Sequence, residues 1–159
     1  MREMRRSRQA LSQADCERIL NENTSGVLSV LGEDGYPYGV PLSYVYDAGK
    51  LYFHSAMEGH KLDAIRDHNQ VSFTVIAQDH VVPEEYTTYF RSVIVFGRAR
   101  ILELDTEKRY AIERLAEKYM PNLPEGRQQE IEKEFHRLCM IELTVERMTG
   151  KEAIELTRM

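Results

Sequence analysis

Apolar and polar positions set the first element by their spacing. Ser12 stands at an N-cap position, Asp15 follows three residues on, and Cys16, Ile19 and Leu20 recur at helical intervals before Gly26. That pattern predicts a short helix. From Gly26 the period changes to two. GVLSVL (Gly26 to Leu31), a turn at Asp34-Gly35 and YPYGVPLSYVYD (Tyr36 to Asp47) predict a hairpin, because Asp-Gly supplies the positive φ that tight hairpin turns require. Along its second arm Tyr38, Val40, Leu42, Tyr44 and Tyr46 alternate with Gly39, Pro41, Ser43 and Val45, so one face is packed and the other is lighter. DAGK (Asp47 to Lys50) turns into LYFHS, which leads into a short helix. QVSFTVIA (Gln70 to Ala77) and SVIVFGRARILEL (Ser92 to Leu104) bring the expected strands to five.

Asp105 or Thr106 is expected to cap a helix running to Tyr119, with Tyr110, Leu115 and Tyr119 among its packing residues. MPNLPEG breaks it, and a second helix starts near Glu125. In CMIELTVERMTG, Cys139, Ile141, Leu143 and Val145 alternate with Glu142, Thr144 and Glu146, predicting a sixth, half-exposed strand. Six antiparallel strands in a small chain are best closed on themselves, because closure removes unpaired edges. The expected fold is mainly β, a small six-stranded antiparallel barrel with flanking helices. AQDHVVPEEYTTYFRS, between two strands, reads as a polar loop near a pocket mouth, where Tyr86 and Tyr89 either stack on a ligand or pack the rim.

Composition narrows the function. At 159 residues, 42% hydrophobic and 30% charged, the chain fits one globular domain over 1–159, with a basic arm over 1–10 that carries Arg2, Arg5, Arg6 and Arg8. A net charge of −5 argues against a nucleic-acid partner, whose phosphates call for a basic face. No apolar run approaches the ~20 residues of a membrane span, so no membrane partner and a cytoplasmic setting are expected. Cys16 and Cys139 are expected to be buried reduced thiols. His136 and Cys139 have a metal-compatible spacing but no second pair, so no metal is expected; His68 and His80 have no partner pattern.

The chemistry concentrates in LYFHSAMEGHKLD, where a strand ends on His54 and Ser55 and a helix opens at His60 and Lys61. A helix start presents free N–H groups and a partial positive charge, Lys61 adds a full charge, Gly59 lets backbone approach an anion, and Ser55 offers a hydroxyl. Plain helix entry, a turn glycine and a solvated lysine explain the same residues equally well. Pro41, which cannot donate to a ladder, tilts the balance: it marks an edge, a bulge or backbone free to face a ligand. With Gly39 beside it, YGVPLS has room for a flat ring while a phosphate reaches the helix start.

These residues resemble the pyridoxamine 5'-phosphate oxidase-like flavoproteins. VLSVLGEDGYPYGVPLSYVYD, LYFHSAMEGHKLD and YFRSVIVFGRARIL are most similar to the nitroimidazole-resistance subgroup, and the likeness extends to MRRSR and MTGK. The resemblance implies a split β-barrel that binds FMN at a homodimer interface. It places His54 beside the flavin, Ser55 on its phosphate or ribityl chain, and His60 with Lys61 at the phosphate. It lays the ring on the backbone of Tyr38, Val40, Pro41, Leu42 and Ser43, and brings Ser92 to the cofactor. Tyr38, His60 and Ser92 replace an arginine, an arginine and a glutamine of the oxidase. The oxidase's arginine-rich C-terminal block has no counterpart in TGKEAIELTRM, which argues against pyridoxamine phosphate as substrate.

What the resemblance implies is reduction of small nitroaromatic substrates, with NAD(P)H as a candidate electron donor. His54 is then either the proton donor or a residue that only positions the flavin. A non-catalytic flavin-binding module and a haem-binding split-barrel protein are the alternatives, and deazaflavin is a further alternative to FMN.

Overall fold

The computed structural model describes residues 1–159. α1 (Gln13–Glu22) begins as the sequence predicts: Ser12 Oγ accepts from Asp15 N–H at 3.1 Å, and Cys16, Ile19 and Leu20 are buried. β1 (Ser25–Leu31) and β2 (Pro37–Ser43) form the hairpin, with Gly35 at φ +85 and Asp34 Oδ1 accepting from Tyr36 N–H. Then come β3 (Val45–Asp47), β4 (Lys50–Ala56), α2 (His60–Asp67), β5 (Gln70–Val82), β6 (Thr87–Ile101), α3 (Asp105–Tyr119), α4 (Pro124–Glu134) and β7 (Leu138–Glu152). No helix is long and apolar enough to cross a membrane.

All strands are antiparallel in one seven-stranded sheet of order β2-β1-β5-β6-β7-β4-β3. The expected mainly β antiparallel fold with flanking helices is present, with seven strands in place of six and a sheet that does not close. The arm from Tyr36 to Asp47 is two strands, and they lie at opposite ends of the hydrogen-bonded order, separated in sequence only by Tyr44. Covalent continuity, not a ladder, brings the two edges together and leaves a split at Tyr44.

That residue is held from several sides. Its ring is fully buried against Phe73, and its hydroxyl donates to Leu20 O of α1 at 2.6 Å. Its main chain has left β2 and not yet joined β3, so α3 supplies the partners. Tyr119 Oη accepts from Tyr44 N–H at 3.1 Å and lies against the carbonyls of Thr24 and Tyr44. Lys118 Nζ donates to Tyr44 O at 3.1 Å and to Asn23 O, and sits 3.9 Å from the centre of the Tyr44 ring. Burial pushes the Lys118 ammonium down to about 8.

Two apolar clusters share the sheet. One fills the curl, with Leu28, Phe53, Phe73, Val95 and Leu143 among its buried members. The other lies where α3 and α4 cover the far face of β3, β4 and β7, and joins Tyr52, Ile112, Leu115, Ile131, Phe135 and Met140. That cover corrects the half-exposed reading of the last strand at Glu142 only, while Thr144 and Glu146 are exposed as the alternation predicts. Glu142 is only 5% exposed, and Lys50 and Arg100 ion-pair with it at 3.3 and 3.0 Å, which meets the need of a buried carboxylate for partners. No side chain caps α3: its N-cap is Leu104, and Asp105 instead sits in the first turn, where an acid favours the helix dipole.

The predicted loop between Ala77 and Ser92 is also corrected. β5 and β6 continue through it as a hairpin arm, paired to Val82↔Thr87, with a register shift between Ile76 and Gln78. Pro83–Glu85 form the tip and Tyr86 takes the left-handed conformation there, 97% exposed. A second irregularity, opposite Phe96 and Gly97, leaves Glu146 unpaired and makes β7 the bulged strand; a Cβ on Gly97 would come within 2.0 Å of Thr144 O.

Tyr119→Phe removes the hydroxyl that serves the main chain at the split, and is expected to cost about 1–3 kcal/mol in urea unfolding without altering the far-UV spectrum. Lys118 adds a pH signature. Its folded value of about 8 lies below its ordinary 10.5, so the unfolded chain holds more protons between these values. Stability should therefore rise with pH across that window, and Lys118→Met should flatten the rise when unfolding curves are compared.

Candidate functional site

Near its end β4 carries two residues, His54 and Ser55, that point to opposite faces of the sheet, as alternation requires. Ser55 points inward and is 3% exposed; it stands opposite Cys139 of β7, and its Oγ has no hydrogen-bond partner. The Cys139 thiol donates to Ala56 O at 3.3 Å, and burial pushes that thiol up against a smaller lowering effect of the neighbouring Ser55 hydroxyl. A buried hydroxyl left in this state forfeits about 1–3 kcal/mol. His54 points outward, is exposed, and makes no hydrogen bond to another residue.

Beyond Ser55 the chain passes Gly59 at φ +157 and ψ +167, a region essentially confined to glycine. A Cβ there would meet nothing within 4 Å, so the conformation demands the glycine and the space beside it is open. α2 starts at the next residue with no side chain capping it. Its first N–H groups and the Lys61 ammonium make this end electropositive. Asp63, in the same turn, is drawn to Arg66 at 3.5 Å.

Tyr38 and His60 meet edge to face with ring centres 4.5 Å apart, which fixes the start of α2 against the start of β2. Gly32 takes part, since a Cβ there would reach within 2.9 Å of His60 Nε2. Val40 and Leu42 are half-buried on the inner side of β2, while Gly39 and Pro41 are exposed on the outer side. β2 is an edge strand with unbroken register from Ser25↔Ser43 to Leu31↔Pro37, and an edge is where a strand tolerates proline.

Ser43 and His54 face each other across the split and line one side of a cavity of about 290 Å3. Its other walls are Leu115, Ala116 and Met120 from the α3 end and Ile131 from α4, with Glu130 and Glu134 at the same helix. Sequence reasoning missed these walls. The sequence names Tyr110, Leu115 and Tyr119 as packing residues of this helix, but nothing in their spacing says that part of the packed face stays open.

The structure thus joins Tyr38 to His60 and Ser43 to His54. Ser92 it keeps apart. That residue lies on the outer face of β6, paired with Ile76 and Lys151, in a shallow crevice of about 250 Å3 with Arg2, Met4 and Lys151. β1 and β5 stand between it and β2. Tyr86 and Tyr89 belong to the hairpin arm, where the Tyr89 hydroxyl is bound by Glu85, and neither lines the cavity. No three His, Cys, Asp or Glu side chains converge as metal ligands.

A family model described as pyridoxamine 5'-phosphate oxidase matches residues 12–152. No curated protein matches the chain. Among solved structures, a candidate 5-nitroimidazole antibiotic resistance protein from Bacteroides thetaiotaomicron is 22% identical over 90% of this chain and 86% of its own, with a TM-score of 0.73. A FAD-binding protein from Mesorhizobium loti is 26% identical over 91% and 97%, at 0.66. A FAD and haem binding protein from Mycobacterium smegmatis is 19% identical over 92% and 74%, at 0.76. These likenesses show a shared fold.

Because the Ser55 hydroxyl is unpartnered, Ser55→Ala should leave the unfolding free energy of the ligand-free protein unchanged or raise it by up to about 1 kcal/mol. Tyr44→Phe, which strips a hydroxyl from Leu20 O, should lower it by a similar amount. Urea unfolding of both variants checks the contrast; a clear loss in Ser55→Ala would mean that Oγ is already satisfied.

Proposed function

The chain belongs to the pyridoxamine 5'-phosphate oxidase family, and from that premise we propose that it is an FMN-dependent oxidoreductase acting on small nitroaromatic molecules of the nitroimidazole type. One observation carries the reading: a buried, orphaned Ser55 Oγ just ahead of an uncapped helix start that bears Lys61. A phosphate would give that hydroxyl an acceptor, cap α2 and neutralise Lys61. The residues present therefore fit the phosphoryl end of a flavin mononucleotide. Solved relatives that bind FAD or are linked to nitroimidazole resistance support the flavin and the substrate class.

In this reading Ser55, Lys61 and the first N–H groups of α2 hold the phosphate, and His60, braced by Tyr38, flanks it. The backbone from Tyr38 to Ser43 supports the ring, with Gly39 and Pro41 leaving the strand surface low. FMN, when bound, supplies the electron-transfer chemistry, with NAD(P)H as electron source. The protein's part is to exclude water and to manage a proton. His54, with a ring free of hydrogen bonds and open to the cavity, is placed to deliver a proton to a substrate oxygen as that atom gains negative charge.

The reading includes a second copy of the chain. No helix covers the outer face of β1, β5 and β6, where Val27, Ile76 and Ile94 are exposed and Ser92 is half-buried. A partner protomer seated on that face is how Ser92, remote from the α2 start in its own protomer, would reach a cofactor shared between two copies.

Purified protein should be yellow, release FMN on denaturation and run as a dimer in light scattering. Lys61→Ala should weaken FMN binding by tenfold or more and reduce its salt dependence, as expected on losing a charge-assisted contact of about 1.5–3 kcal/mol. His54→Ala separates two roles: flavin retained with NAD(P)H-driven nitroimidazole reduction lost identifies the proton donor, whereas flavin lost identifies a positioning residue. Flavin bound without turnover by the wild type would leave a binding module, and a Soret band in place of flavin absorbance would put haem in the site.

A further inference from the structure

Two features on the outer face of the sheet lack partners in their own protomer. The first is the N-terminal arm. Leu11 N–H and Gln9 Nε2 anchor it on β7, donating to Gly150 O and Glu152 O at 2.9 Å each. From there the chain runs over β6, with Arg2 and Met4 bordering the Ser92 crevice and Met1 reaching Gln70 and Ser72 at the start of β5. Residues 1–5 make no hydrogen bond, and none of Arg2, Arg5, Arg6 and Arg8 makes an ion pair. Four arginines and one glutamate give residues 1–10 a formal charge of +3, which leaves −8 on the rest of a chain whose total is −5.

The second is the hairpin from Gln78 to Arg91, which runs past the pairing of β6 with β7. Asp79 and Val81 pair there with Phe90 and Thr88, which share the outer face with Ser92 and Ile94. Val81 is 61% and Tyr86 97% exposed. Polar side-chain contacts on the hairpin are those of Glu85 with Tyr89 and of Arg91 with Gln78 and Glu152, which leaves the carboxylates of Asp79 and Glu84 free. The arm runs away from this hairpin, toward the opposite end of the face, so the two do not pair within one protomer.

We propose that the arm of one copy clasps the hairpin of a second copy, with its arginines on Asp79 and Glu84 and beside the Tyr86 ring, and that the contact is made twice. The clasp rests on the second-copy reading above, in which Val27, Ile76 and Ile94 form the middle of the same face. A two-fold contact whose facing strands run in opposite directions sets each hairpin over the end of the face where the other copy's arm lies. Sheets pack ~10 Å apart and six extended residues reach about 20 Å, so residues 1–6 cross between the copies while Gln9 stays anchored. Charge complementarity favours the exchange: two bodies of −8 repel each other, and a cationic arm laid across the contact offsets that repulsion.

Sedimentation equilibrium of the full chain tests the clasp through charge reversal at four exposed positions. Arg5→Glu with Arg6→Glu, or Asp79→Lys with Glu84→Lys, should each raise the dimer dissociation constant tenfold or more at low salt, and high salt should shrink the difference. Mixing the two variants should restore dimers of wild-type strength, because each arm then meets a hairpin of opposite charge in the other chain. Dissociation constants unmoved by either pair of substitutions, or a mixture as weak as its components, would overturn the clasp and leave the second copy in place. A wild type that stays monomeric at every concentration yet binds flavin would overturn the clasp and the shared site together, with the flavin reading intact.

Discussion

The fold depends on how the main chain is satisfied at Tyr44. β2 and β3 are consecutive in the chain yet occupy opposite ends of the strand order, so the sheet must curl until its two edges meet at one residue. At that residue there is no neighbouring strand to accept or donate, and burying an unpaired peptide group is costly. Tyr119 and Lys118 provide the missing partners from the end of α3, and α1 holds the Tyr44 hydroxyl from the other side. Burial pushes that hydroxyl up, which keeps it a donor throughout the physiological range.

The split and the candidate site share one cause. Because β2 pairs only with β1, its other edge is free, and Pro41 costs no ladder bond there. Because α3 is pinned at Tyr44 by its last turn, it stands over the outer face of β4 and leaves the cavity in which Ser43 and His54 face the helices. A weakened contact at Tyr119 would therefore be felt in cavity shape as well as in stability. The α2 start is independent of this. It is fixed by Tyr38 against His60 and by the tight approach at Gly32, so the proposed anion-binding end and the apolar compartment sit on separate supports on either side of the gap.

Some of this was legible from residue pattern. The Ser12 cap, the Asp34-Gly35 turn, the burial of Cys16, Ile19 and Leu20, and the strand-to-helix passage at Ser55–Lys61 follow from local rules, because each depends on residues within one turn or one strand of each other. The failures are non-local. Glu142 alternates like a solvent-facing residue and is buried because α3 and α4 cover its side, with Lys50 and Arg100 arriving from other strands. The polar segment from Gln78 to Arg91 is a paired arm because each strand finds the other, although neither carries a core-forming stripe.

The sequence by itself determined most of the helices and strands, though not the arm from Gln78 to Arg91, together with the turn chemistry between them and a cluster of Ser55, Gly59, His60 and Lys61 at one junction, since these are properties of spacing and of individual side chains. Tertiary structure alone decided that one predicted strand divides at Tyr44 between two sheet edges, that the Ser55 hydroxyl is buried opposite Cys139, and that α3 and α4 leave a largely apolar space against the sheet. Those features arise from which distant segments meet, and a pattern of apolar and polar positions specifies the face that is buried without naming the surface that buries it.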